Sequence, residues 1–88
     1  MTETFRKGFT YETARSKLFD LISDNARVLR DELSEEKTLQ DDLHLDSFDL
    51  LSIVSAVEGE FDISIPNEDF GRFKTVGDIS DELWRRLA

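Results

Sequence analysis

The chain of 88 residues has no cysteine, one proline and one histidine. Without cysteine it cannot form a disulfide framework, a thiolate nucleophile or a zinc finger, and the lone His44 argues against most histidine-based chemistry. No apolar run approaches the roughly 20 residues that a membrane span needs. Charges throughout the first fifteen residues argue against a secretory signal. We therefore expect a protein of the reducing cytoplasm.

The composition indicates one small folded domain. Hydrophobic residues make up 39% of the chain and charged residues 35%, as is typical of globular proteins. The length allows one small core and no second one. We expect a flexible segment over residues 1–9, which show no periodicity, and a single domain over residues 10–88.

Acidic residues are concentrated in the middle of the chain. The formal net charge is −9, and the window from Asp31 to Asp62 alone carries −10 because Lys37 is its only basic residue. This charge argues against nucleic acids and anionic membranes as partners. The acidic window is either a solvated surface or a docking surface for basic proteins, and its position relative to a reactive group has to decide between the two.

The first half of the chain predicts one helix and a long loop. The helix begins after Thr10, a possible cap, and ends between Asn25 and Arg30. The polar stretch over residues 31–42 predicts a loop, with one short helical turn at most, and loops of this length are often functional. The apolar residues of the helix recur at three- and four-residue steps (Tyr11, Ala14, Leu18, Leu21, Ile22), and those of the loop are sparse (Leu33, Leu39, Leu43).

The second half predicts two further long helices. One starts near Asp46 or Ser47 and runs to about Glu60. The last starts at Thr75, whose side chain can form a capping box with Asp78. Their apolar faces comprise Leu50, Leu51, Ile53, Val54, Val57 and Phe61 in the first, and Val76, Ile79, Leu83 and Leu87 in the second, with Trp84 closing one edge of the core.

An extended connector over residues 62–66 joins these helices and directs its isoleucines to the core. After it we expect a short helical turn that Asn67 caps and that ends at Phe70, with Gly71 stopping it. The sum is an all-α fold, a small four-helix bundle of three main helices and one short helix with a long first loop.

Ser47 stands where the acidic loop meets the second predicted helix. A serine in the first turn of a helix is exposed beside free backbone amides, and the helix dipole favours a phosphate ester there. No general base is evident near it except His44, and no third group orients that base. We therefore predict no catalytic residue and consider Ser47 a site that another enzyme modifies. The alternative is that Asp46 or Ser47 merely caps the helix.

Three segments in register resemble the acyl carrier protein family: DDLHLDSFDL at residues 41–50, EGEFDISIP at 58–66 and KTVGD at 74–78. The similarity extends over roughly residues 11–87. The resemblance implies that Ser47 carries 4′-phosphopantetheine, which a phosphopantetheinyl transferase attaches from coenzyme A with magnesium. The arm then holds an acyl or aminoacyl group as a thioester, so the chain is a monomeric carrier and no enzyme.

The resemblance also implies a docking face for acyl-loading ligases or synthases with basic patches. Its acidic residues are Asp46, Asp49, Glu58 and Glu60, and its apolar anchors are Phe48, expected to be exposed, and Ile65 as a second one. The alternative for Phe48 is that it is a core residue.

The chain departs from the family at several positions. Phe48 replaces the usual leucine, and His44 replaces a frequent glycine. Ser52, Ser55 and Gly59 replace residues that are usually acidic, methionine and acidic in carriers of fatty acid synthesis. A specialised carrier for lipid, polyketide or peptide biosynthesis is therefore expected at least as much as a housekeeping one.

Two other functions fit parts of the sequence. One is an acidic helical interaction module without a prosthetic group. The other is a calcium-binding loop, because Asp42, His44 and Asp46 alternate. That loop lacks the glycine of an EF-hand, where Ser47 stands, and its bidentate glutamate, where Ile53 stands. We therefore expect no metal site.

Overall fold

A computed structural model describes residues 8–87 and confirms the all-α architecture. Within these residues there are three α-helices and two 3₁₀ helices. Their bounds are α1 Tyr11–Ala26, a 3₁₀ turn Arg30–Glu32, α2 Ser47–Phe61, a 3₁₀ helix Asn67–Arg72, and α3 Val76–Leu87. The flexible segment predicted for residues 1–9 falls largely outside the described residues. Of its two described members, Phe9 packs against Phe61, with ring centroids 4.7 Å apart and ring planes tilted by 52°.

Capping boxes start the helices as the sequence predicted. The Thr10 hydroxyl accepts a hydrogen bond from the N–H of Thr13, and the Thr13 hydroxyl accepts one from the N–H of Thr10. At the start of α3, the N–H of Asp78 donates to the Thr75 hydroxyl and the N–H of Thr75 donates to the Asp78 carboxylate. Each reciprocal pair satisfies amides that have no partner within the helix.

The prediction for Asn67 and Gly71 is wrong. Asn67 is the first residue of the 3₁₀ helix, and it follows Pro66, which provides no side-chain cap. The helix continues through Gly71 to Arg72 because Gly71 keeps a negative φ and does not reverse the chain. Glycine ends helices where it adopts the left-handed conformation, and here it does not.

The core fills the space between the three α-helices. Residues at helical spacing are fully or almost fully buried on each of them, as the apolar periodicity predicted. Full burial of one Leu, Ile, Val or Phe side chain contributes about 1.5–3 kcal/mol to the stability of the fold. The buried set comprises Ala14, Leu18, Phe19 and Ile22 of α1, Ile53, Val54, Val57 and Phe61 of α2, and Val76, Ile79, Leu83 and Leu87 of α3. Trp84 is half-buried against this core, with its ring 4.2 Å from that of Tyr11.

The long loop between α1 and α2 is fixed to the start of α3 by backbone hydrogen bonds. The N–H of Leu39 donates to the carbonyl of Lys74 (2.9 Å), and the N–H of Val76 donates to the carbonyl of Lys37 (3.0 Å). The N–H of Gly77 donates to the carbonyl of Glu35 at 2.9 Å. Four leucines of the loop are buried beneath these contacts (Leu33, Leu39, Leu43, Leu45). The loop is therefore ordered although it contains only one short turn of helix.

A buried cluster of charges joins the 3₁₀ helix Asn67–Arg72 to α3. The Arg86 guanidinium lies 2.7 Å from a Glu82 oxygen and 3.1 Å from an Asp69 oxygen, and Arg85 also pairs with Glu82. Burial raises the pKa of Glu82, but hydrogen bonds from Arg86 and Arg85 outweigh it and hold that pKa below its ordinary value. Glu82 therefore stays ionised at neutral pH and orients Arg86, whose guanidinium joins α3 to Asp69 of the 3₁₀ helix.

The close approach of Gly77 to the loop generates a prediction about stability. A Cβ atom on Gly77 would lie 3.0 Å from the Glu35 carbonyl oxygen, a backbone atom that cannot easily move away. Gly77→Ala should therefore lower the free energy of unfolding by about 1–2 kcal/mol. Urea denaturation with an unchanged m-value measures this loss.

Gly59→Ala is the matched control. Gly59 is exposed in α2 and a Cβ atom there would meet nothing within 4 Å. The substitution should stabilise the protein by about 0.5–1 kcal/mol, because alanine loses less backbone entropy in a helix. A Gly77→Ala variant as stable as Gly59→Ala would contradict the constraint at Gly77.

Candidate functional site

Asp46 positions Ser47 at the start of α2. The Asp46 carboxylate accepts the N–H of Asp49 at 3.0 Å, and the Asp49 carboxylate accepts the N–H of Asp46 at 3.1 Å. This capping box ends the loop at Asp46 and makes Ser47 the first residue of the helix. The prediction that α2 begins at Asp46 or Ser47 is confirmed, and capping is the role of Asp46 rather than of Ser47.

The Ser47 side chain is exposed and uncommitted. Within residues 8–87 its hydroxyl has no hydrogen-bond partner. It lies in the first turn of a fifteen-residue helix, where backbone N–H groups lack partners and the helix dipole is positive. The hydroxyl is thus open to an incoming enzyme, and a phosphate attached to it would gain electrostatic stabilisation.

The segment that leads into Ser47 turns at His44, which adopts a left-handed backbone conformation with φ of 57°. The flanking Leu43 and Leu45 are both buried, while the His44 side chain is exposed. The backbone reverses at His44 so that both leucines reach the core just before α2 begins. The family's frequent glycine at this position has the same explanation, because glycine adopts a positive φ without strain.

Thr38 and Asp42 form another turn, earlier in the same loop. The Asp42 carboxylate accepts the N–H of Thr38 at 2.8 Å, and the Thr38 hydroxyl accepts the N–H of Asp42 at 2.9 Å. The hydrogen bonds from the Thr38 backbone and then from its hydroxyl hold the pKa of Asp42 below its ordinary value. The turn therefore keeps its shape at neutral pH.

An open groove of about 390 Å³ adjoins Ser47. The loop and the first turns of α2 form one wall, and Phe73 and Lys74 form the other. The lining combines apolar and polar residues, so the groove suits an amphipathic chain. Its lining residues are Thr38, Leu39, Gln40, Asp41, Leu45, Asp46, Ser47, Leu50, Phe73 and Lys74.

The predicted docking residues lie on and around α2. Phe48 is 79% exposed, which confirms its predicted exposure and places it outside the core. Asp46 is exposed, and Asp49 and Glu60 are half-buried. Glu58 is already engaged, because its carboxylate accepts the N–H of Ile65 at 2.8 Å. Docking itself stays a prediction for these residues.

Two expectations about this face are wrong. Ile65 is only 5% exposed and belongs to the core, so it is no exposed anchor. Its backbone bond to Glu58 pulls the connector over the end of α2 and turns the side chain inward. Leu51 was expected to be buried with Leu50, but it is 47% exposed one helical turn from Phe48. Periodicity placed Leu51 on the apolar face of α2, but it lies at the edge of that face, in an open depression with Asn25.

Lys74 is the residue of this site that sequence reasoning missed. It lies far from Ser47 in the chain, and no local pattern brings the two together. The backbone hydrogen bond between Leu39 and Lys74 places Lys74 on the wall of the groove.

Residues 8–87 contain no group of three His, Cys, Asp or Glu side chains that could hold a metal ion. None of the helices among them is long and apolar enough to cross a membrane.

The geometry defines a small helical domain that presents an uncommitted serine beside an open groove. A phosphopantetheine group fits this site, since the hydroxyl is accessible, the helix start favours its phosphate and the groove can receive the amphipathic arm. Comparison with protein families agrees with this class: residues 16–83 match the family described as "Phosphopantetheine attachment site".

Curated relatives give the family more narrowly. The acyl carrier protein of Clostridium perfringens is 44% identical over 67 residues, which are 76% of this chain and 88% of that protein. The acyl carrier protein of Bdellovibrio bacteriovorus is 39% identical over 70 residues, which are 80% of this chain and 90% of that protein. The chain belongs to the acyl carrier protein family, whose members bear covalently attached 4′-phosphopantetheine, and the resemblance seen in the sequence is confirmed.

The conformation of His44 generates a prediction. A left-handed conformation costs a residue with a Cβ atom about 1–2 kcal/mol, and glycine avoids this cost but loses about 0.5–1 kcal/mol of additional backbone entropy on folding. His44→Gly should therefore raise the free energy of unfolding by up to about 1 kcal/mol, measured by urea denaturation. His44→Val is the control and should destabilise the protein, because β-branched residues tolerate positive φ poorly. A destabilised His44→Gly would contradict backbone strain at this position.

Proposed function

We propose that Ser47 is the attachment site and that the chain carries an acyl or aminoacyl group as a thioester on the 4′-phosphopantetheine arm. The observation that carries the proposal is the uncommitted Ser47 hydroxyl at the capped start of α2, beside the groove. The family match covers this segment of the chain. When attached, the arm supplies the thiol that this cysteine-free chain lacks.

Ser47 acts as an acceptor in a reaction that another enzyme catalyses. Its Oγ attacks the phosphorus atom of coenzyme A that bears pantetheine. A P–O bond to Ser47 forms, the pyrophosphate P–O bond breaks, and adenosine 3′,5′-bisphosphate leaves. A base of the transferase would accept the hydroxyl proton, and its magnesium ion would stabilise the charge on the leaving group. The chain itself offers no base beyond His44, which agrees with a carrier that is loaded by others.

The partners of the carrier are a phosphopantetheinyl transferase and acyl-loading ligases or synthases with basic docking patches. Phe48 supplies an exposed aromatic contact, and Asp46, Asp49 and Glu60 supply negative charge around it. Glu58 contributes charge while it also holds Ile65. Opposite charge raises the rate of encounter and lowers it again at high salt. We expect the carrier to act as a monomer in the cytoplasm.

Within the family we infer a specialised carrier. The outward side of α2 is neutral at its middle, where Ser52 and Ser55 line a shallow depression with Leu51 and Asn25. The aromatic Phe48 stands in place of the family's usual leucine. A partner that recognises this surface needs an apolar contact beside Ser47 and fewer basic residues against the middle of the helix.

The first experiment is loading of Ser47. The purified chain is incubated with coenzyme A, magnesium and a promiscuous phosphopantetheinyl transferase, and its intact mass is measured. We expect a gain of one phosphopantetheine, which peptide mapping places on Ser47. Ser47→Ala should gain nothing while its circular dichroism is unchanged, because the side chain is exposed and its hydroxyl makes no hydrogen bond within the described residues.

Ser52→Ala and Ser55→Ala are matched controls, since both serines are exposed on the same helix. Each should load fully. A loaded Ser47→Ala variant would refute the assignment. A folded wild type that two transferases leave unmodified, while both load a control carrier, would favour the acidic interaction module.

The second experiment tests the docking role of Phe48. Truncating an aromatic contact at the centre of an interface costs about 1–2 kcal/mol, so Phe48→Ala should lower kcat/KM of loading by about five- to thirtyfold. Leu29→Ala is the control, because Leu29 is 70% exposed but lies outside α2. Initial rates below saturation measure the effect. Equal losses in the two variants would show that Phe48 has no special role.

A further inference from the structure

Lys74 is the one cation on the wall of the groove beside Ser47. The other charged residues of the lining are Asp41 and Asp46. Among residues 8–87 no carboxylate lies within ion-pair distance of the Lys74 ammonium, in contrast to arginines such as Arg15, Arg30 and Arg86. Lys74 therefore lines the groove that opens at the serine and has no ion-pair partner among the described residues.

The backbone on both sides of Lys74 is fixed. Its carbonyl accepts the N–H of Leu39 at 2.9 Å, and its own N–H donates to the Asp78 carboxylate at 2.7 Å. The neighbouring Thr75 forms an isolated antiparallel bridge with Thr38. Residue 74 thus keeps its place on the groove wall, and only its flexible side chain has to adjust to a ligand.

A phosphodiester on Ser47 would add a negative charge to an acidic neighbourhood. Asp46 precedes the serine, Asp49 follows it within the first turn, and Asp41 lies along the groove. Repulsion from these carboxylates disfavours an arm that lies against the protein. A cation in the same groove offsets that repulsion near itself. The arm is therefore favoured to lie toward Lys74.

We propose that Lys74 is a positioning residue that pairs with the phosphodiester on Ser47 and directs the pantetheine arm into the groove. The proposal rests on the proposed function, because it needs the arm on Ser47. The apolar part of the lining, including Leu45, Leu50 and Phe73, faces the less polar portion of the arm, and Thr38 and Gln40 offer hydrogen bonds to its amides. The arm is then in exchange between a docked and a free state.

The strength of this pair is modest. An exposed ion pair changes an equilibrium by about two- to fivefold. Loss of the Lys74 charge should lower the ratio of docked to free arm by that factor. Salt should have the same effect, because 1 M salt screens charges beyond about 3 Å.

The test compares ¹H–¹⁵N spectra of the unmodified chain with those of the modified chain, whose mass and site of attachment are verified first. Attachment alone shifts the amides of Ser47 and Phe48. Docking also shifts amides of the groove lining that are distant from Ser47 in the chain, such as Leu39 and Phe73. It gives nuclear Overhauser contacts between the geminal methyl groups of the arm and the Phe73 ring.

In Lys74→Gln we expect the shifts at Leu39 and Phe73 to shrink as the docked-to-free ratio falls two- to fivefold. Lys74→Arg should retain them. Lys37→Gln is the matched control, since it removes the same charge from the adjacent loop but lies outside the groove lining. In the wild type 1 M salt should reduce the shifts, and in Lys74→Gln it should change them little.

Two results would overturn the proposal. Equal groove shifts in the wild type and in Lys74→Gln would remove the role of Lys74. Wild-type shifts confined to Ser47 and its neighbours would show that the arm does not enter the groove. Neither result touches the proposed function, which fails only if the arm is not attached to Ser47.

Discussion

The backbone pairing of the long loop with the start of α3 is the constraint on which the site depends. Residues 35–39 of the loop and residues 74–77 exchange three hydrogen bonds, and Gly77 allows the closest of these approaches. The pairing fixes both walls of the groove and the direction from which the chain reaches Ser47. Without it the helices could keep their core while the segment before the serine lost its shape.

The acidic residues around Ser47 contribute to the local fold, and we propose that they also serve recognition. Asp46 and Asp49 close the capping box that begins α2, and their charges also surround the serine. Glu58 holds the connector through the N–H of Ile65 and adds to the same negative surface. Negative charge is thus concentrated around the hydroxyl that we propose another enzyme modifies. Burial of the loop leucines offsets the cost of ordering so polar a segment.

Local signals made much of this structure predictable. Helical periodicity and capping pairs involve residues three or four apart, and they gave the starts of the three α-helices to within one residue. Helix ends were less well defined, because Arg27 and Asp62 adopt the left-handed conformation in which glycine would have been the signal. The extent of the 3₁₀ helix was missed because Gly71, which was expected to stop it, does not adopt the left-handed conformation.

The sequence by itself determined the helices, their caps, the concentration of acidic charge and the serine at the start of α2, because each depends on neighbouring residues. Only the tertiary structure decided that Leu51 is exposed, that Lys74 lies on the groove beside Ser47, and that Ile65 belongs to the core, as predicted for the connector, and not to the docking face. These facts depend on which segments pack together. Contacts between residues distant in the chain fix them, and no local pattern encodes such contacts.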